Sequence, residues 1–424
     1  MLDTIIIGAG LSGLSAACHL QSKGYNVAIF EANGKVGGRC KSDYIDGFIL
    51  DRGLHFFQKA FSESKTAFDY RTLRMESIYP GVMLHYNNNF HLVTNPVKKI
   101  GDSLSLAFLP FMTFKDKMKM GSFLTYLMAN TEENFKKLKD ISTRAFLESR
   151  GFSQQLIESF FKPLHQAIFL DHSLSTSAYI FASMMKNFSF EESAIPAYGI
   201  GSIAVQLAEK LEENTVKFHS RVKQIFDDGV ELTTGEFIAA KSVIVSIPPH
   251  EIEKIIPEYK SDISFNHVTC MYFATKTPPV NSPILLLNGQ NQGIVNHVFV
   301  PSTIQPSYAP PGSHLVSVTL NTNEYHEDDE LIDNVLNELI DWFGVKVNDW
   351  VHLKTYHIPH ALPNIQSFHE YQYHQEKDGV FFCGDYLSYG SVNNAVSSGK
   401  SVADAVDNHL SSKKKALRKK AFFH

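Results

Sequence analysis

The sequence is poor in cysteine: its four (Cys18, Cys40, Cys270 and Cys383) stand far apart among 424 residues, with no Cys-x-x-Cys pair. That spacing argues against a disulfide framework or a zinc knuckle and suits a reducing compartment such as the cytoplasm. No uncharged apolar run reaches the roughly 18 residues that a spanning helix needs. No basic segment precedes the opening apolar stretch, so a secretory leader is not expected. Neither sign of charge dominates. With 39 Lys and Arg against 44 Asp and Glu, the formal net charge is −5, which gives no reason to expect nucleic acid as a partner. No internal repeat and no long linker is visible. What remains is ordinary globular composition, 44% hydrophobic and 20% charged, in a chain longer than one hydrophobic core usually supports, so two domains are expected.

The strongest signal lies at the start, in Thr4-Ile5-Ile6-Ile7-Gly8-Ala9-Gly10-Leu11-Ser12-Gly13. The apolar run reads as a buried strand, and Leu11 to Lys23 reads as a helix opening directly on the glycines. Gly8 permits a tight turn, Gly10 lets a pyrophosphate approach the backbone, and Gly13 lets helix and strand pack closely, with Ser12 beside it in the first helical turn. Unpaired N–H groups at the helix start would face the phosphates. Val27 to Phe30 reads as the next strand, and Glu31 follows it, placed to accept hydrogen bonds from an adenosine ribose. A carboxylate there repels a 2′-phosphate, so FAD or NAD fits better than NADP.

Further along, Tyr44 to Asp51 reads as a hairpin turning at Asp46-Gly47, and a strand pair is expected around Asn87-Asn88-Asn89. A helix is expected over Ser202 to Glu213. Strands are expected at Val216 to Ile225, Val230 to Leu232 and Ser242 to Ile247, and again at Val268 to Thr275, Ile284 to Leu287, Val295 to Val300 and Leu315 to Leu320. A polar helix, Asp329 to Phe343, follows, and Gly379 to His409 reads as strand, glycine turn and helix. The expected fold is α/β. A Rossmann-type nucleotide domain is assembled from 1–55, 195–255 and 375–410, two insertions (56–194 and 256–374) form an α+β substrate or cap domain, and 411–424 is a basic tail.

Three further stretches carry chemistry. Val36-Gly37-Gly38-Arg39 is followed by Asp51-Arg52-Gly53-Leu54-His55; the glycines let the chain run close to a pyrophosphate, and Arg39 offers a fixed positive fork. Near the C-terminus come Val380-Phe381-Phe382-Cys383-Gly384-Asp385 and Gly390-Ser391-Val392-Asn393-Asn394. In between lies Ile195-Pro196-Ala197-Tyr198-Gly199-Ile200-Gly201, then Val222. Together these resemble the flavin amine oxidase superfamily, which includes amine oxidases, protoporphyrinogen oxidases and phytoene-type desaturases. The resemblance implies FAD, bound noncovalently and contacted by Gly8, Gly10, Ser12, Gly13, Glu31, Gly38, Arg39, Gly53, Leu54, Val222, Gly384, Asp385 and Val392. It implies that Asp385 bonds a ribityl hydroxyl and that the backbone of Val222 meets the adenine. It also implies that the helix starting near Val392 points its N–H groups at the flavin edge where reduction leaves negative charge.

Phe161-Lys162-Pro163-Leu164 and Ile168-Phe169-Leu170-Asp171 resemble the cap of protoporphyrinogen oxidases and desaturases more than that of amine oxidases. Where amine oxidases carry a lysine this chain has Thr269, and where they carry an aromatic cage residue it has Ser391. The resemblance therefore implies hydride removal from a C–H bond of an apolar or conjugated small molecule, with reoxidation by oxygen or a quinone. An amine oxidase lacking the lysine and a redox-neutral flavin-binding isomerase are the alternatives. Phe56, Phe57, Phe161, Phe169 and Tyr272 are candidates for a pocket wall, although core is the commoner role for any one of them. His55 is the one candidate catalytic histidine, with a structural hydrogen bond as the favoured role. His357-Ile358-Pro359-His360 lacks an adjacent acidic partner, so no metal is expected.

Two stretches are candidates for peripheral membrane contact. One is Ser103 to Met112 with Phe114 to Met128, where apolar residues recur around Lys115, Lys117 and Lys119; core or channel wall is the favoured reading. The other is the tail from Lys413 to Lys420, for which a solvated, disordered segment is favoured.

Overall fold

Thr4–Ile7 is β-branched throughout, which suits a strand covered on both faces. It is fully buried, and its lone hydroxyl is satisfied by Ser242 Oγ at 2.9 Å. The computed structural model describes residues 1–53, 56–59, 62–290, 292–321, 328–366, 374–377 and 379–422. Thr4–Ile7 lies inside a six-stranded sheet ordered Val216–Lys217, Val27–Phe30, Thr4–Ile7, Val243–Val245, Val380–Cys383, His374–Lys377. All neighbours are parallel except the last pair. The sheet thus draws on three stretches far apart in the chain. The first helix, Leu11–Ser22, and the C-terminal helix, Val392–Phe422, pack together on one face through Leu14, Ala17, Val402 and Val406. The other face is covered by Val222, Val230 and Ile252, from a three-stranded sheet and the helix Pro249–Ile255. This is an α/β architecture.

A second, seven-stranded sheet is ordered Val351–Pro363, Phe265–Thr275, His314–Leu320, Val295–Phe299, Leu285–Asn288, Gly81–Tyr86, Asn89–Thr94. Helices Phe114–Ala129 and Ala178–Phe190 stack beside it, with the Phe123 ring lying parallel to Phe181 at 6.4 Å and edge-on to Phe161. Both expected hairpins form. Asp46 and Gly47 have φ of 49° and 83°, and Asn87 and Asn88 have 50° and 57°, the left-handed turn that glycine and asparagine allow.

Four expectations need correction. Val216 to Ile225 is two strands, because His219 turns left-handed (φ 52°) and the N–H groups of His219 and Ser220 bond the carbonyls of Asn33 and Glu31. The helix expected to reach Glu213 ends at Ala208. Val351–Pro363 is an unanticipated strand; it lies at the sheet edge, where Pro359 removes no ladder bond from a second neighbour. The terminal segment, expected to be unstructured, continues the packed C-terminal helix as helical backbone through Phe422.

Two buried histidines make stability depend on pH. Burial pulls His165 down to about 4, against partial opposition from Asp171, and pulls His297 down to about 3. Both folded values lie below the ordinary 6.5, so their contribution is complete above that value and is lost as pH falls towards 4. Thermal melts should show the midpoint dropping through this window, and His297→Gln should make the drop shallower.

Candidate active site

The glycine corner is built by close backbone approach. Gly8 sits at φ +98°, and a Cβ there would lie 2.8 Å from the Ile247 side chain and 2.9 Å from the Ser246 carbonyl oxygen. A Cβ on Gly13 would fall 2.2 Å from the Gly8 carbonyl oxygen, so helix and strand meet with no room for a side chain. Gly10 differs: a Cβ would meet nothing within 4 Å, so the space beside it is open. The Gly37 N–H donates to the Ala9 carbonyl at 2.8 Å, and Gly38 lies against Gly10, where a Cβ would come 3.3 Å from its Cα. The first helix starts at Leu11 with no side-chain cap and no acidic residue in its first turn, and Ser12 is buried there. An open cradle at an uncapped helix start fits a pyrophosphate.

Glu31 is 6% exposed and closes this corner. Its Oε2 accepts from the Ala9 N–H at 2.9 Å, and Oε1 accepts from the Asn33 N–H and side-chain amide at 2.9 and 2.8 Å. A carboxylate oxygen can accept a second bond, so Oε2 retains capacity for a sugar hydroxyl. The turn at His219 brings Ser220 onto the Glu31 carbonyl, and Val222, buried, starts the strand that follows.

At the other end of the groove the Arg39 guanidinium donates to Asp385 Oδ1 and, at 3.1 Å, to the Ala361 carbonyl. Residues 346 positions apart in the chain therefore share one contact. The Gly384 N–H is held by Ser398 Oγ at 2.9 Å. The C-terminal helix begins at Val392 with no acidic residue in its first turn, and Ser391 Oγ caps it by accepting from the Asn394 N–H at 3.1 Å. Gly53 is buried at φ +88°. The expectations placed on Leu54 and His55 fall outside the described residues. Burial pushes the Cys40 thiol beside Arg39 up to about 12, which excludes a thiolate there.

A cavity of about 1010 Å³ reaches from the second sheet and its helices to Gly390–Asn393 at the start of the C-terminal helix. Its wall is mostly apolar, with Phe56, Leu124, Phe160, Leu164, Ile168 and Met184 among its residues. Of the five aromatics singled out in the sequence, only Phe56 lines it. Phe57 packs edge-on against Phe68 and Tyr70, and Phe161 is buried against Phe123 and Phe152. Phe169 faces a small neighbouring pocket, and Tyr272 donates to the Asp51 carbonyl at 2.6 Å. Thr269 is buried, with its hydroxyl 3.1 Å from His357 Nδ1, whereas Ser391 is on the cavity wall. His360 stacks instead on His250 at 3.9 Å, and among the described residues no cluster of three metal-ligating side chains occurs.

Residues 11–407 match the family described as flavin containing amine oxidoreductase. The chain belongs to that family. That family is described as one of flavin-containing oxidoreductases. It is 30% identical over 171 residues to protoporphyrinogen oxidase 2 of Arabidopsis thaliana, covering 37% of this chain and 30% of the plant protein. It is 24% identical over 295 residues to the zeta-carotene-forming phytoene desaturase of Myxococcus xanthus, covering 59% and 54%. The alignments therefore span about a third and about half of those relatives' lengths. In fold it is similar to an oxidoreductase from Methanosarcina mazei, with a TM-score of 0.73, 19% identity, and coverage of 96% of this chain and 100% of that one.

Within this flavin family, the parts that local sequence did not reveal are those supplied by distant packing. The Ala361 carbonyl reaches Arg39 from an edge strand whose prolines and histidines hide its alternation. Much of the apolar cavity wall comes from helices whose inward face only the tertiary contacts select.

The two glycines separate fold from cofactor retention. Gly10→Ala should fold with the melting point of the flavin-free parent yet lose flavin affinity by about tenfold or more, since its methyl fills only the cradle. Gly13→Ala should lose both stability and flavin. Melting curves of flavin-free protein and absorbance titration with flavin measure the two effects.

Proposed function

We propose that this chain is an FAD-dependent oxidoreductase that removes hydride from a C–H bond of an apolar or conjugated small molecule. The observation that carries this reading is the mostly apolar cavity ending at the start of the C-terminal helix. Noncovalently bound FAD would supply the two-electron acceptor, later reoxidised by oxygen or a quinone.

Each part of the chain then has a task. Gly8, Gly10, Ser12 and Gly13 receive the pyrophosphate at the helix start, and Glu31 accepts from the adenosine ribose. The Val222 backbone meets the adenine. Gly38, Arg39, Gly384 and Asp385 would hold the pyrophosphate and ribityl chain. Arg39 also positions Asp385 through their ion pair. The N–H groups of the helix starting at Val392 stabilise developing negative charge. Apolar walls exclude water and orient the reacting C–H bond near Gly390–Asn393. Cap-domain similarity to the desaturase and protoporphyrinogen oxidase side, and Thr269 and Ser391 in place of the lysine and aromatic of amine oxidases, support C–H rather than amine oxidation.

Anaerobic mixing of the yellow protein with tetrapyrroles, polyenes and amines tests this. Tetrapyrroles or polyenes should bleach the flavin absorbance. Bleaching by amines alone, or product formed with no bleaching at all, would replace the reading by an amine oxidase or a redox-neutral isomerase. Leu124→Trp should raise KM by about tenfold or more without lowering flavin content, because it narrows only the cavity. Glu31→Ala should weaken FAD retention; a variant that stays fully loaded rules out the ribose contact.

A further inference from the structure

The stretch read from sequence as core or channel wall is both buried and exposed. It comprises a 3-10 helix, Ile100–Phe108, and an α-helix, Phe114–Ala129. On the α-helix, Asp116, Phe123 and Leu127 are buried. Opposite them Phe114, Met118, Gly121, Thr125 and Met128 recur at helical spacing, all exposed and none charged. Phe114 is 79% exposed, Met118 65% and Phe108 84%. Side chains this large, gathered on one segment and left in water, mark an interaction surface rather than scattered exposure.

Charge selects the partner. Residues 98–119 contain five lysines, at 98, 99, 115, 117 and 119, and two aspartates. Both aspartates are occupied within the protein. Asp116 accepts from Thr113 and Ser153, and Asp102 accepts from the Tyr79 hydroxyl. Lys117 Nζ donates to the Ala107 carbonyl at 2.6 Å, tying the two helices into one platform. Apolar tips flanked by lysines are the composition of an element lying in a lipid interface.

The same platform walls the cavity. Lys117, Met120, Gly121 and Leu124 contribute one flank of the helix to it, next to the exposed stripe, and Lys99 and Gly121 in that wall are themselves exposed. We propose that this face docks on a phospholipid surface bearing anionic headgroups, with Phe108, Phe114 and Met118 entering the acyl boundary and the cavity mouth opening onto it. That an apolar substrate would pass from lipid into the cavity rests on the function proposed above; the docking itself does not.

Flotation of the flavin-loaded full chain with phosphatidylcholine vesicles, with and without phosphatidylglycerol, tests the docking without any substrate. The protein should float with vesicles containing phosphatidylglycerol and less with phosphatidylcholine alone. Phe108→Ser/Phe114→Ser/Met118→Ser should lower the partition by about tenfold or more while keeping flavin content and melting point, since all three side chains are exposed. Lys115→Glu/Lys119→Glu should lower it selectively for the anionic vesicles. Failure of the parent protein to float overturns the proposal. So does flotation undiminished by the triple substitution, which would assign binding to the basic C-terminal segment. A triple substitution that abolishes self-association but leaves flotation unchanged would assign the face to a second copy.

Discussion

The first helix is held between two neighbours that touch its backbone directly. On one side the Gly8 carbonyl leaves no room for a Cβ at position 13, and on the other a Cβ on Gly399 would fall 2.2 Å from the Ser12 carbonyl oxygen. Strand, first helix and C-terminal helix are thereby packed backbone against backbone at Gly13 and Gly399. The direction of the uncapped helix start depends on this contact, as does the lateral position of the C-terminal helix, whose own start meets the cavity. Close packing of this kind transmits small displacements instead of absorbing them.

Asp51 plays the corresponding part between the two sheets. Its Oδ1 accepts from Ser42 Oγ at 2.5 Å and from the Ile200 N–H at 2.9 Å, its Oδ2 from the Tyr308 hydroxyl at 2.8 Å, and its carbonyl from Tyr272. One buried aspartate, through its carboxylate and its carbonyl, thus joins the hairpin, the start of the helix Gly201–Ala208, the turn at Tyr308 and the second sheet. Arg39 makes a similar junction on the groove side through Asp385 and Ala361. Both residues sit in the glycine-containing signatures, so the stretches that read as cofactor contacts also act as joints between separated parts of the chain.

What the sequence made legible is what local chemistry decides. The glycine corner, the acidic residue after the second strand, and the Asp46-Gly47 and Asn87-Asn88 turns each follow from a backbone geometry that few residues adopt. The break at His219 is not of that kind, because the acceptors that draw the chain aside are carbonyls of Asn33 and Glu31 nearly two hundred residues earlier. Nor is the division of the aromatics. In a chain with 32 phenylalanines, only packing determines that Phe56 faces the cavity while Phe57, its neighbour, is core. Likewise, the lysine-flanked helix reads from sequence first as core or channel wall, and only its packing shows that Phe114, Met118 and Met128 are exposed.

The central strand Thr4–Ile7 takes one neighbour from Val27–Phe30 and the other from Val243–Val245, which in turn pairs with Val380–Cys383. A chain emerging from the ribosome can therefore complete one side of its innermost strand almost at once, while the other side waits for a segment more than two hundred residues downstream. During that interval an apolar edge stands open, and the groove lacks the carboxylate that Arg39 will hold. The innermost strand is thus completed through a pairing of high sequence separation, the kind of contact that is slow to form.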